Sequence, residues 1–443
     1  MGNPGGICVN SYLADFIKNF ELENIPKEVV LQAKKCLTDL VACAISGADV
    51  LGAKILSSFV RGSMAGRECT IIKAQQKASA VGASLVNGFI LNALDIDDAY
   101  TKIKGHPGAL IFPSALALAE LCNASGKELL EALIIGYEVG IRTGLAVHST
   151  HREYHGSGSW GSVAAASAGA KLLKLDKKSI RHALGIAEAH APMTPIMRCV
   201  MQPRMAPKDG AAWGAMVGTS SALLAKEGFT GISTLLEQKE NKFLASTLGK
   251  NFEMLNLVFK RYPCCGWSHA AVDGLLKVMK GKNISYKDIE KITISVFWEA
   301  TKLSRKWPTT IEEAEYSLLY PVAAAAVASD FGLAQLTDES RSSPETKALA
   351  KKIEIEHDPE LDKYFPAEVP AIVRIRLKNG KTYSSGKISP LGPKGESLSR
   401  EEIREKFFEL VRRSLTKTEA KELLSVIENL EKHRIADLLK FLE

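Results

Sequence analysis

Asn92-Ala-Leu-Asp95-Ile-Asp97-Asp98-Ala-Tyr-Thr-Lys-Ile-Lys-Gly-His106-Pro-Gly108 puts Asp95, Asp97 and Asp98 within four residues, and a histidine follows eight positions later in a His-Pro-Gly turn. Apolar, Ala-rich sequence flanks the stretch, from Ala78 to Leu91 before it and from Ala109 to Leu121 after it. Small residues at Ala80, Gly82, Ala83 and Gly88 suit a helix that others approach closely. Acid set between two such helices is costly unless a positive or protic group meets it. The stretch therefore predicts a helical core around a polar site, with partners supplied from elsewhere in the chain.

Working outward, the chain predicts more helices. Val9 to Phe20 is the first. Pro26 opens a second, with Val29, Ala33, Leu37, Leu40 and Ala44 at helical spacing and Asp39 beside that face, read as a buried, hydrogen-bonded acid. Ser125-Gly126 opens a helix that carries Glu138 and Arg142 as an i, i+4 pair. A Gly- and Ser-rich loop with His148, His151 and His155 leads into another helix, where backbone amides favour anions. Pro192 to Pro207 reads as irregular. Lys208-Asp209-Gly210 then opens a long helix ending near Lys226.

After Phe259-Lys260-Arg261-Tyr-Pro-Cys-Cys-Gly-Trp-Ser-His269 the texture changes. Cys69 to Lys73 reads as a short early strand. Ile292 to Phe297, Ile353 to Ile355, Ile372 to Leu377 and Lys381 to Tyr383 read as later strands, with a hairpin at Asn379-Gly380. Ala314 to Ser329 reads as one helix, and helices return from Ser399. The expected fold is mainly α with a smaller α+β domain: residues 1–269 and 396–443 helical, and 270–395 α+β.

The totals narrow the class. A chain of 443 residues favours two domains. Hydrophobic content of 46%, charged content of 24% and a formal charge of +7 are ordinary for a globular protein and suit an enzyme for small anions. No basic tract with aromatics points to nucleic acid. The eight cysteines form no Cys-x-x-Cys pair, and no run of eighteen apolar residues predicts a membrane span. Met1 to Gly6 lacks a basic, then apolar, leader. The expected location is the cytoplasm.

Taken singly, most candidate residues have bland readings. The three aspartates can be solvated loop acids, a Mg²⁺ site or an acid/base cluster in which like charges raise a pKa. Asp-x-Asp-Asp also resembles the protonating motif of class II terpene cyclases. Aromatics are only 7% of the chain, however, and none but Tyr100 lies near the acids. His106 can pack in a turn, His155 and His269 can cap helices, and Lys208 with Asp209 can be a surface pair. Cys264 lacks local support as a nucleophile. A non-enzymatic carboxylate-binding scaffold is a further reading.

Together the islands resemble the MmgE/PrpD family, through Asn-Ala-Leu-Asp-Ile-Asp-Asp with His-Pro-Gly, Tyr-His with Gly-Ser-Trp-Gly, Ala-Leu-Leu-Ala-Lys-Glu-Gly-Phe-Thr-Gly, and Lys-Arg-Tyr-Pro-Cys-Cys with His269. They occur in family order over roughly residues 10–440. The family includes 2-methylcitrate dehydratase, cis-aconitate decarboxylase and iminodisuccinate epimerase. The resemblance implies a helical domain with a lid domain at 270–395, a homodimer, and no metal or organic cofactor. It implies Asp95, His106, His155, Lys208 and His269 as catalytic, with Asp98, Ser157, Lys260 and Arg261 binding a small carboxylate substrate. There are departures: Ala99 stands where decarboxylases carry Thr, the loop to His106 is longer than theirs, and Lys-Asp-Gly replaces their Lys-Pro-Leu-His. The expected activity is a lyase moving a proton beside a carboxylate of a di- or tricarboxylate. Dehydration of a hydroxy acid comes first, epimerisation second and decarboxylation third. The site residues should converge on one cleft between the domains, with the pKa values of its His and Lys depressed.

Overall fold

The computed structural model describes residues 12–391 and 397–443. The start of the chain, the Val9 end of the first expected helix and the expected boundary at 395/396 lie outside them. Tyr12–Asn19 and Lys27–Gly47 are the first long helices, the second entered from Pro26, and its predicted apolar face is buried. Asp39 lies on that face, also buried.

Five helices pack around one another at the centre: Ala80–Asn92, Gly108–Leu121, Gly126–Thr150, Gly158–Leu172 and Ala211–Lys226. Their small residues are what let the backbones approach. A Cβ on Gly218 would fall 2.3 Å from the Ala165 Cβ and 2.7 Å from the Ser162 carbonyl oxygen. Buried hydroxyls join three of these helices, with the Thr219 Oγ1 2.8 Å from the Oγ atoms of both Ser84 and Ser114. Ser125 and Glu128 form a capping box that starts Gly126–Thr150. Within that helix Glu138 and Arg142 pair as expected, but fully buried rather than on a solvated face.

Among the described residues the strands are β1 Cys69–Ile71, β2 Gln76–Ala78, β3 Ile289–Val296, β4 Ile353–His357, β5 Ala371–Leu377 and β6 Thr382–Ile388. β1 and β2 form a small hairpin, of which only β1 is evident from the sequence. The rest form one sheet in the order β4-β3-β5-β6. β3 and β4 are parallel, which requires a long crossover; the helices Ile311–Glu315, Leu319–Ala328 and Pro344–Ala350 lie within it. β5 and β6 join at Asn379-Gly380, where Gly380 takes φ +82°. Ala371, Val373, Ile375 and Leu377 are buried in alternation, and helix Gly266–Lys282 packs on β5 and β6.

Two expectations need correction. Pro192 to Pro207 contains a short helix, Ile196–Met201. The single helix expected over Ala314 to Ser329 is broken at Tyr316–Leu318, where Ser317 bridges to Ser304 and the Ser317 Oγ accepts from the Tyr320 N–H. The chain ends with Arg400–Val411, Lys417–Glu428 and Ile435–Leu439, the first two packed on Lys27–Gly47. Among the described residues no single helix is long and apolar enough to cross a membrane.

Candidate active site

Where helix Ala80–Asn92 ends, the Asp95 N–H donates to the Asn92 carbonyl, and Asp95 adopts φ +48°. A non-glycine residue held there is strained and marks a position fixed by its surroundings. The Asn92 side chain donates to the Asp97 Oδ1 at 3.1 Å. Ala99 then exchanges backbone hydrogen bonds with Val258, which carries Lys260 to the acidic turn. The Lys260 Nζ lies 2.7 Å from the Asp95 Oδ1.

His106 returns to the same acids. Its N–H donates to the Ser157 Oγ at 2.9 Å, so the loop before the Gly158–Leu172 helix fixes the His-Pro-Gly turn. Its ring lies between three carboxylates: Nδ1 is 3.1 Å from the Asp97 Oδ2, and Nε2 is 3.3 Å from the Asp95 Oδ1 and 3.9 Å from the Asp209 Oδ2. Asp209 is buried at φ +51° and accepts from the Tyr316 hydroxyl at 2.8 Å. Beside it the Lys208 Nζ donates to the Glu315 Oε2 at 2.6 Å. Tyr316 comes from the break in the expected long helix and Glu315 from the residue just before it.

These groups meet at a cleft that encloses about 630 Å³ of empty space, mouth included. Asp95, Lys104, His106, Asp209 and Lys260 line it from the first part of the chain, and Trp267, Tyr316, Phe365, Val369 and Leu391 from the second. Charge is set by competition. Burial disfavours the His106 imidazolium, but Asp97 and Asp95 outweigh it and hold the ring at about 9. Burial raises Asp95, yet Lys260, His106 and Lys208 bring it below its ordinary value. Burial raises Asp209 against the pull of His106.

The expected residues do not all meet. Asp95, His106 and Lys260 line the cleft, and Lys208 sits just behind, its Nζ 5.7 Å from the centre of the Tyr316 ring. His269 is buried one layer back, with Nε2 3.3 Å from the Cys264 carbonyl oxygen. His155 lies outside the lining, its backbone paired with Pro195 and its ring against His151. Three residues expected to touch substrate have other partners. Asp98 is buried against the Tyr137 hydroxyl and the Gly108 N–H, Ser157 supports His106, and Arg261 reaches outward to Glu402 at 2.7 Å.

The expected depression of pKa holds for His155, through burial and His151, and for His269, which burial and Lys260 push down to about 3. It fails for His106, Lys208 and Lys260, which are all raised because each lies against a buried carboxylate. Cys264 is buried with its thiol pushed well up, the opposite of an activated nucleophile. Lys104, Glu315 and Tyr316 were not singled out by the sequence, although Lys104 lay in the quoted stretch; Asp97 was read only as part of the acidic cluster and Asp209 only as half of a surface pair with Lys208.

Two family models match in succession: the MmgE/PrpD N-terminal domain over residues 11–255 and the MmgE/PrpD C-terminal domain over residues 262–432. The chain belongs to the MmgE/PrpD family. Its architecture is that of the family, a helical N-terminal domain and an α+β C-terminal domain. It is 25% identical to a cis-aconitate decarboxylase-like protein of Aspergillus oryzae, over 91% of this chain and 90% of the relative. It is 24% identical to a cis-aconitate decarboxylase of Aspergillus terreus, over 98% and 95% of the two chains. It is also 24% identical to the cis-aconitate decarboxylase of Mus musculus, over 96% and 91%. These similarities support a carboxylate lyase at the level of the family.

In this MmgE/PrpD chain one oxygen or nitrogen each from Asp95, His106 and Asp209 lie within 4.8 Å of one another, a spacing that admits a cation. The Lys260 ammonium, 2.7 Å from the Asp95 Oδ1, already places a positive charge at that point. The contacts of Lys260 and His106 with Asp95, and of His106 with Asp97, are close but lack hydrogen-bond alignment.

Proposed function

We propose that this MmgE/PrpD protein is a lyase for a small di- or tricarboxylate, removing water from a hydroxy acid by proton transfer beside a carboxylate. The observation that carries the reading is the pair of cations, His106 and Lys260, set at one Asp95 oxygen on the cleft wall with Asp209 opposite. Asp209, raised by burial, is suited to accept the α-proton. The C–H electrons pass into an enediolate, whose charge lies against Lys260. As the double bond forms and the C–O bond breaks, the His106 imidazolium gives its proton to the departing hydroxyl, which leaves as water. Transfer of the proton from Asp209 to His106, across 3.9 Å, restores the site.

Decarboxylation is the second reading, favoured by the similarity to cis-aconitate decarboxylases. Carbon dioxide would leave with its bonding electrons left on carbon, and His106 would protonate that carbon. Epimerisation would return the proton to the other face. A terpene-cyclase-like role is disfavoured despite the aromatics that the fold brings to the cleft, because Asp95 is held ionised by Lys260 and His106 and is a poor proton donor.

The test is incubation with 2-methylcitrate, citrate, cis-aconitate and iminodisuccinate in D₂O, followed by NMR. Vinylic product from a hydroxy acid is the expected result. Loss of a carboxyl carbon would select decarboxylation, and deuterium wash-in with inversion would select epimerisation. The reading fails if no α-proton exchanges anywhere in the panel.

A further inference from the structure

Half-buried Lys104 differs from the fully buried cations of the molecule. Lys208 pairs with Glu315, Lys260 with Asp95, Lys406 with Asp39 and Arg142 with Glu138. Lys104 lines the cleft, yet no carboxylate lies within ion-pair distance of it among the described residues. Its ammonium sits instead 3.2 Å from the centre of the Tyr154 ring and 5.6 Å from that of Phe365. An aromatic face steadies a cation without neutralising it.

The position is built rather than incidental. Thr101–Ile103 forms a single 3₁₀ turn, closed by the Tyr100 N–H donating to the Gly105 carbonyl at 2.9 Å. Lys104 ends that turn at φ +49°, the left-handed conformation that commonly closes a helical turn. Tyr154 and Phe365, from different halves of the chain, stand edge to face with centroids 6.5 Å apart. The side chain thus stands between Phe365, which lines the cleft, and Tyr154, just outside the lining.

We propose that Lys104 anchors a second carboxylate of the substrate and makes the cleft select di- and tricarboxylates over monocarboxylates. The inference rests on the reading of this cleft as a carboxylate site. His106 and Lys260 serve the reacting end, and both are already matched by acids. The charge on the far end of the substrate then falls to the cation that, among the described residues, no carboxylate meets within ion-pair distance. Partial burial pulls Lys104 down to about 8 and outweighs the opposing pull of Glu299, the direction expected of an ammonium that is desolvated but not ion-paired.

The test is a ligand-observed NMR titration of the whole protein with two unreactive probes, propane-1,2,3-tricarboxylate and butyrate. Lys104→Ala, Lys104→Gln and Lys104→Arg are compared with wild type, and thermal melts confirm folding. If Lys104→Ala does not fold, Lys104→Gln, which keeps most of the length, carries the comparison. The expected result is preference for the tricarboxylate in wild type and a loss of at least about tenfold in that affinity without the ammonium. Butyrate should be nearly unaffected, and Lys104→Arg should keep most of the preference. Equal tricarboxylate affinity in folded Lys104→Gln and wild type would overturn the proposal. Failure of wild type to bind either probe would overturn both it and the carboxylate reading. A loss of affinity in a protein that exchanges no α-proton would leave the anchor standing and remove the reaction.

Discussion

His106 has an acid on each ring nitrogen, and this has a consequence for stability as well as chemistry. Its folded pKa of about 9 lies above the ordinary histidine value, because Asp97 and Asp95 overcome the cost of burial. A raised pKa means that the folded state binds the proton more tightly than the unfolded one. The stabilisation is complete below about pH 6.5 and is lost as pH rises through about 9. The gap corresponds to roughly 3 kcal/mol as an upper bound. Wild type should therefore melt at falling temperature across that window. His106→Asn should melt lower at pH 6.5 and show a much flatter profile, since it has no proton to lose there. Parallel profiles for the two proteins would show that His106 does not carry this charge.

Among elements, the central helices depend on residues that have no side chain to move. A Cβ on Gly218 meets backbone atoms, the Ser162 carbonyl oxygen at 2.7 Å and the Ala166 nitrogen at 2.8 Å, so the helices must separate to admit it. Gly218→Ala should cost about 1–3 kcal/mol through overpacking. Gly281, also helical, has nothing within 4 Å of its missing Cβ, so Gly281→Ala should stabilise by about 0.5–1 kcal/mol. Urea midpoints moving in opposite directions would bear this out, and a shared sign would refute the packing argument. Elements with a repeating pattern were legible in the sequence: the apolar face from Val29 to Ala44, the alternation along β5, the Asn379-Gly380 turn. The break at Tyr316–Leu318 was not, since an Ala-rich run reads as helix and the Ser304 bridge that interrupts it is a tertiary contact. The site divides in the same way. Asp95, His106 and Lys260 belong to local motifs, whereas Asp209 and Glu315 take their meaning from partners about a hundred residues away. Lys208–Asp209 looked like a solvated pair because nothing nearby indicates that both side chains are buried with other partners.

At the scale of the whole molecule, the chain closes on itself behind the site. Helix Arg400–Val411 returns to Lys27–Gly47 and inserts Lys406, whose Nζ lies 2.6 Å from the Asp39 Oδ1 and 2.6 Å from the Ile96 carbonyl oxygen. Ile96 sits between Asp95 and Asp97, so the far end of the chain holds the backbone of the acidic turn. A buried pair contributes little when compared with apolar replacements, but breaking it by removing one partner strands the other charge. Lys406→Ala should therefore cost about 3–5 kcal/mol in urea unfolding, with Asp39 left buried and uncompensated. Asp39→Asn combined with Lys406→Met removes both charges and should recover much of that loss. The recovery has a limit that stability alone does not report. The Ile96 carbonyl loses its donor in either variant, and the turn that aims Asp95 and Asp97 at His106 is freer to shift. The double variant should then be nearly as stable as wild type yet clearly weaker in binding propane-1,2,3-tricarboxylate. If it instead binds like wild type, the acidic turn holds its shape without Lys406, and the C-terminal return serves packing alone.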